Sequence, residues 1–182
     1  MGRHSSDLLP GLGGVAAVRY GWRHSAEEVS MVGLPAADAA TRAYFLDWLE
    51  TFSRHVRAVD YASARPLFHP DILAFGTHRD VLPSLEAWVN SQWDNVWPKT
   101  DDFRFDLAET HVLASDDGSL AVVIAPWTST GFHPDGARFD RPGRATMVFH
   151  KTADGWLGVH SHLSLNRGVP QSSHGDRPVK AR

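Results

Sequence analysis

From Asp38 to Val59 the apolar residues Phe45, Trp48, Leu49, Phe52, Val56 and Val59 recur at intervals of three and four. That period puts them on one stripe of an α-helix, with Asp38 or Thr41 able to cap its start. A short second helix is expected from Asp60 to about Ala64, ended by Pro66, whose ring disfavours helical backbone in the residue before it. His69-Pro70-Asp71 reads as a turn and Ile72 to Gly76 as a brief strand. Pro83 suits the first turn of a third helix. Leu85, Trp88, Val89 and Trp93 trace its buried face, and Trp97-Pro98 closes it.

Beyond Phe103 the period changes to two. Phe103, Phe105 and Leu107 alternate with Arg104 and Asp106, and Leu120 to Thr130 is a nearly continuous strand pattern. His133-Pro134-Asp135-Gly136 is a hairpin turn signal, Arg144 to Thr152 the returning strand, Ala153-Asp154-Gly155 the next turn, and Trp156 to Leu165 the last strand. Helix, helix, short strand, helix and then long antiparallel strands make an α+β layout, a curved sheet with helices gathered on one face. Residues 1–36 carry no sustained period and are expected to form a flexible extension. Residues 37–167 make the domain. Residues 168–182, rich in Gly, Pro, Ser and charge, read as a disordered tail.

The closing strand, Trp156-Leu-Gly-Val-His160-Ser-His162-Leu-Ser164, holds the main candidate chemistry. Strict alternation puts Trp156, His160, His162 and Ser164 on one face, and Leu157, Val159, Ser161 and Leu163 on the other. Pairing across the Ala153–Gly155 turn brings Arg144 and Thr146 beside the imidazoles, and Trp127 on the preceding strand adds an aromatic wall. This reads as a polar pocket wall.

Composition narrows the function classes. Lys and Arg number 18 against 21 Asp and Glu, net −3, with no basic cluster, so no nucleic-acid partner is expected. There is no cysteine, which excludes disulfides and thiolate chemistry. No apolar run is long enough to span a bilayer, and a cytoplasmic location is expected. The enrichments are seven Trp and eleven His, residues that build rigid apolar walls and carry protons near neutrality.

The element order, with Leu67-Phe-His-Pro-Asp71, Phe75-Gly-Thr77, Arg144-Ala-Thr146 and the Trp156…His160-Ser-His162-Leu-Ser164 run, resembles the nuclear transport factor 2-like superfamily. It is most similar to the SnoaL-like branch, and also to the association domain of calcium/calmodulin-dependent protein kinase. The resemblance covers roughly residues 38–167. It implies a cone, a strongly bent antiparallel sheet wrapped round a long helix with a cavity between, and a homodimer formed through the outer sheet face. The superfamily holds isomerases, dehydratases, epoxide hydrolases and polyketide cyclases beside non-catalytic modules, so fold leaves function open. The Asp/Tyr/Asp set of ketosteroid isomerase and the Asp-Arg-Asp arrangement of the epoxide hydrolase find no match here. Arg138, Asp140 and Arg141 lie near a hairpin mouth and are expected to be solvated.

Three functional readings are open to such a chain. The first is an enzyme working by acid-base chemistry, without an organic cofactor, on a small apolar or aromatic molecule. In it His160 or His162 moves the proton and Arg144 polarises an oxygen. Trp127, Trp156, Thr146, Ser164, His78 and Trp88 line its pocket. The second is a non-catalytic ligand-binding or oligomerising domain. The third is a metal site in which His160 and His162, two residues apart on a strand, take a third ligand from His78, His69 or Asp71. Glu109 and His111 share parity on another strand and are expected on the wet outer face.

Overall fold

The computed structural model describes residues 35–175. Most of the expected extension, residues 1–34, and the end of the expected tail, residues 176–182, lie outside it. The stripe folds as its period requires. Helix α1 (Ala39–Ala58) buries Phe45, Trp48, Leu49, Phe52 and Val56. Asp38 caps it: the Thr41 N–H donates to its carboxylate at 2.6 Å, and that bond, before any other cause, holds the Asp38 pKa below the usual range. Val59 is the C-cap, with a left-handed backbone at φ 57. A β-branched residue is strained there. Burial to 1% exposure and an N–H bond to the Val56 carbonyl at 3.1 Å hold it in place.

Asp60 starts α2 (Tyr61–Ala64), and the Pro66 segment Arg65–Leu67 forms a 3₁₀ turn. The third helical region is α3 (Leu85–Trp88), a π-helical turn (Val89–Trp93) and α4 (Asp94–Val96), closed by the 3₁₀ turn Trp97–Lys99. Ser84 caps its start by accepting the Ala87 N–H. A π turn carries an extra residue and shifts the helical phase of the residues after it. Here Gln92 and Trp93 are buried, and Trp93 stacks on Trp97 with ring centroids 4.2 Å apart.

The strands are β1 (Phe68–Phe75), β2 (Asp101–Phe105), β3 (His111–Ala114), β4 (Leu120–Phe132), β5 (Arg138–Asp140), β6 (Gly143–Thr152) and β7 (Gly155–Leu165). They form one curved, unclosed sheet in the order β1-β7-β6-β4-β2, with β3 and β5 also paired to β4. All pairs are antiparallel except β1 with β7, which is parallel. His69-Pro70-Asp71 belongs to β1 and is not a turn. β1 is an edge strand whose register shifts between Phe68 and Leu73, the setting in which a proline without an N–H is tolerated.

The concave face carries Ala121, Val123, Ala125 and Trp127 of β4 against Ala145, Met147 and Phe149 of β6, all buried. Small residues alternate with large ones, so α1 beds closely on the sheet: the Phe149 ring lies 4.6 Å from Phe45 and 4.8 Å from Trp48. Gly143 is required opposite Trp127, because a Cβ there would overlap both the indole and the Ser164 carbonyl oxygen.

The chain after β7 is docked as far as Gly175, against the expectation of disorder from residue 168. Val169 packs on the core. Ser173 Oγ donates to the Lys99 carbonyl at 2.5 Å and accepts the Phe132 N–H at 2.9 Å, and the His174 N–H donates to the Phe132 carbonyl at 2.9 Å. Polar composition hid a strap held by hydrogen bonds to the main chain of Lys99 and Phe132. At the other end, the Ala37 N–H donates to the Val112 carbonyl at 3.0 Å, and Ala36 pairs with Leu113 on β3.

Candidate functional site

The parity of β7 decides which residues share a space, and it changes partway along the strand. Met147 pairs with Ser161 and Val148 with His160, but Phe149 pairs with Gly158, so Val159 is an extra residue on β7. One extra residue reverses the face of everything on its far side. Trp156 points inward and packs on Phe45 at 5.3 Å. Past the bulge, Ser161 and Leu163 point inward, beside Met147 and Ala145. His160, His162 and Ser164 therefore lie on the convex face with Arg144 and Thr146, opposite to the expectation from strict alternation. Gly158 makes the irregularity possible, since a Cβ there would run into the Phe68 ring at 2.6 Å.

On that convex face the imidazoles are held by neighbours. His160 Nδ1 bonds the Leu73 carbonyl oxygen at 2.9 Å, and the His162 ring lies 4.2 Å from that of Phe75. Burial first, then the charges of His160 and Arg144, lower the His162 pKa. Arg144 Nη1 donates to the Leu165 carbonyl at 3.1 Å and to Asn166 Oδ1 at 3.4 Å. Among the described residues no group of three or more His, Asp or Glu side chains is placed to hold a metal ion. Glu109 and His111 are exposed, as expected.

The hollow inside the sheet has different owners. Phe52 and Val56 of α1, Trp88, Gln92, Trp93 and Trp97 of the third helical region, Phe103, Trp127 and Leu163 of the sheet, and Thr77, Thr100 and Arg141 surround it. Of the expected pocket residues, Trp127 and Trp88 are here. Trp156 is in the neighbouring core, and Thr146 and Ser164 are outside. The hollow leaves about 40 Å³ for the centre of a water-sized sphere. By the usual requirement of 10–15 Å³ per water, that admits about three waters or one small flat group. It shares Thr77, Val96, Thr100 and Arg141 with a polar vestibule of about 220 Å³, bordered also by His78, Lys99 and the strap residues Gln171 to His174. The His78 pKa is lowered by burial, then by the charges of Arg79 and Lys99.

Arg141 is the residue that strict pattern reading missed. Expected to be solvated, it is 2% exposed. Its backbone exchanges two hydrogen bonds with Ser129, at 2.8 and 3.1 Å, extending the β4–β5 ladder by one inward pair. Gly131 leaves the room: a Cβ there would overlap the Phe139 ring and Arg141 Cδ. The signal was present in Arg138-Phe139-Asp140-Arg141, where period two places Arg141 on the side of the aromatic Phe139. Nη1 donates to Ser129 Oγ at 3.3 Å. Nε is sealed from solvent and meets no acceptor, and no carboxylate lies within ion-pair distance, among the described residues. Burial alone lowers the Arg141 pKa to about 10.

The remaining lining continues the imbalance. The indole nitrogens of Trp88, Trp93 and Trp127 are buried and have no acceptor among the described residues. Of the acceptors nearby, Gln92 Oε1 takes the His78 N–H at 3.1 Å and Thr77 Oγ1 faces Gln92 Nε2 at 3.4 Å, while the Thr100 hydroxyl donates to the Val96 carbonyl at 3.0 Å. The hollow is apolar and rich in donors, with a buried positive charge where it meets the vestibule. No described helix is long and apolar enough to cross a membrane.

Comparison with known proteins agrees with this architecture. A candidate calcium/calmodulin dependent protein kinase II association domain from Xanthomonas campestris superposes with a TM-score of 0.59 at 23% identity, over 75% of this chain and 94% of that one. A candidate dehydratase from the NTF2-like family of Streptomyces avermitilis gives 0.58 at 19%, over 72% and 100%. The CaMKII hub homology domain of Chlamydomonas reinhardtii gives 0.55 at 21%, over 70% and 98%. At these identities they show the fold. No curated protein matches the sequence. Residues 42–167 match the model of the SnoaL-like domain, so the chain belongs to the SnoaL-like family, and its fold is that of nuclear transport factor 2-like proteins.

Proposed function

We propose that the domain binds a small, mainly apolar molecule in the hollow of the cone, and that this binding is its function, in place of acid-base catalysis by His160 or His162. One observation carries the reading. His160 and His162, the imidazoles expected to move a proton, sit on the convex face, while the hollow is bordered by tryptophan, phenylalanine, threonine, Gln92 and Arg141, with no carboxylate or imidazole among its described lining residues. Proton transfer needs an acid or base within hydrogen-bond reach of the reacting atom. A largely preformed apolar pocket with a few oriented donors is instead what small-ligand recognition uses.

The test is titration with small aromatic compounds, following the indole N–H resonances of Trp88, Trp93 and Trp127 by NMR. Saturable shifts at these three that survive the His160→Ala/His162→Ala double substitution are expected. Shifts confined to the convex face, or lost with the double substitution, would overturn the reading.

A homodimer through the convex face accompanies this function. That face exposes Leu73 at 53%, Ile124 at 42% and Leu120 at 43%, and exposed aliphatics gathered on one sheet face mark an association surface. Relatives of this fold are described as association domains. Sedimentation of Leu73→Asp/Ile124→Asp should give a monomer where the parent protein gives a dimer. An unchanged mass would remove this face from the assembly.

A further inference from the structure

We infer that the ligand of the cone is a small monocarboxylate, its carboxylate seated on Arg141 and its single ring or short branched chain in the tryptophan-lined hollow. This rests on the reading of the cone as a ligand site and names the class of molecule that fits it.

Three features carry it. A guanidinium is a planar fork of donors matched to a carboxylate, and Arg141 presents one in a nearly sealed position, with Nε unpartnered and no acid group beside it. A buried charge is normally paired, so the partner missing from the described residues is one that a ligand would bring. The surrounding donors are in the same condition: the indole nitrogens of Trp88, Trp93 and Trp127 have no protein acceptor, while Gln92 Oε1 and Thr77 Oγ1 already accept hydrogen bonds. A neutral apolar molecule would leave these donors unmet, and a cation would face Arg141 directly.

The approach has the same sign. The vestibule is bordered by Lys99, His78, His174 and Arg141, with no carboxylate among its described lining residues. A cleft lined by one sign of charge raises the local concentration of the opposite one. Size sets the other limit, since the hollow accepts about one small flat group. Dicarboxylates and phosphates would place a second charge against Trp88 or Trp127, where no cation waits.

The experiment compares each acid with its neutral amide: benzoate with benzamide, and phenylacetate with phenylacetamide, by calorimetry at neutral pH on the full chain. The parent protein should bind each acid about ten-fold or more tightly than its amide, the size of one charge-assisted pair. Arg141→Met should bind acid and amide alike, and Arg141→Lys should keep part of the preference. Raising the salt should leave the preference nearly intact, because a buried pair is poorly screened.

Equal binding of acid and amide by the parent protein would overturn the carboxylate anchor and leave the cone as a pocket. A preference that persists in Arg141→Met, or that collapses with salt, would assign the anion to Lys99 and overturn the role of Arg141. Absence of saturable binding for every compound would overturn both readings. The comparison within the parent protein decides the matter even if Arg141→Met folds poorly.

Discussion

Arg141→Met should make the ligand-free protein more stable. Burial without a carboxylate lowers the arginine's pKa from its ordinary value to about 10, which corresponds to about 3 kcal/mol of preference for the hydrated charge of the unfolded chain. Methionine keeps an unbranched stem beside Gly131 and Phe139 and removes that penalty. Against the gain stand the bond to Ser129 Oγ, long at 3.3 Å and worth about 1 kcal/mol, and the enlarged hollow, worth a few tenths to about 1 kcal/mol. The net gain is about 1–2 kcal/mol, in line with replacements of buried ionic groups by apolar ones. In a chain of this size that raises Tm by about 2–8 °C.

Circular dichroism melts and urea titrations of the parent, Arg141→Met and Arg141→Lys proteins measure it. Arg141→Lys keeps a buried charge and should not share the gain. A saturating monocarboxylate should then narrow or close the gap between Arg141→Met and the parent protein, because at a hundred times the parent's Kd it adds about 2.7 kcal/mol to the parent and about 1.4 kcal/mol to a variant that binds about ten-fold more weakly. A fall in Tm for Arg141→Met would refute the reasoning: the guanidinium would then be a structural tie whose partners outweigh its desolvation.

The sheet supports two further expectations. The His162 pKa lies below its ordinary 6.5 through burial, His160 and Arg144, so the unfolded chain binds more protons as acid is added; the contribution to stability is complete above pH 6.5 and is lost as pH falls through the folded pKa. His162→Gln should flatten that part of the stability–pH curve measured by urea titration, and an unchanged curve would remove the effect from this residue. Gly143→Ala should destabilise the fold by about 1–3 kcal/mol, because its Cβ must displace the Trp127 indole or the Ser164 carbonyl; a Tm equal to that of the parent protein would show that β4 and β6 separate without penalty.

Where a residue's environment depends on period alone, the sequence reading was accurate. The α1 stripe needed only 3.6-residue spacing, and its Asp38 cap only a short acceptor next to the helix start, whereas Pro83, expected in the first turn of the third helix, lies just before the Ser84 cap. The site depended on two departures from period. Val159 adds one residue to β7 and turns His160, His162 and Ser164 outward, a shift decided by pairing with β6 that the sequence of β7 alone does not announce beyond Gly158. Arg141 lies just past a strand of three residues, and its burial depends on the Ser129 backbone pair and on Gly131, distant in sequence and small for a reason visible only in three dimensions. The strap failed for a similar reason. Its composition is that of a linker, yet its hydrogen bonds go to the main chain of Phe132 and Lys99.

The bulge also gives the sheet two separate duties. Inward residues of β6 and β7, such as Ala145, Met147, Ser161 and Leu163, complete the core and the hollow, while Arg144, Thr146, His160 and His162 are left to the convex surface. Substitutions on one face therefore need not disturb the other, which suits the binding and assembly proposed for the two faces. Phe75 is where the faces meet. It borders the hollow, and its ring lies against His162. Displacement of that ring by a ligand would be felt at the imidazole, and by linkage any second subunit packed on His162 would bear equally on ligand affinity. His162, which strict alternation assigned to the pocket, thus touches its border through the Phe75 ring.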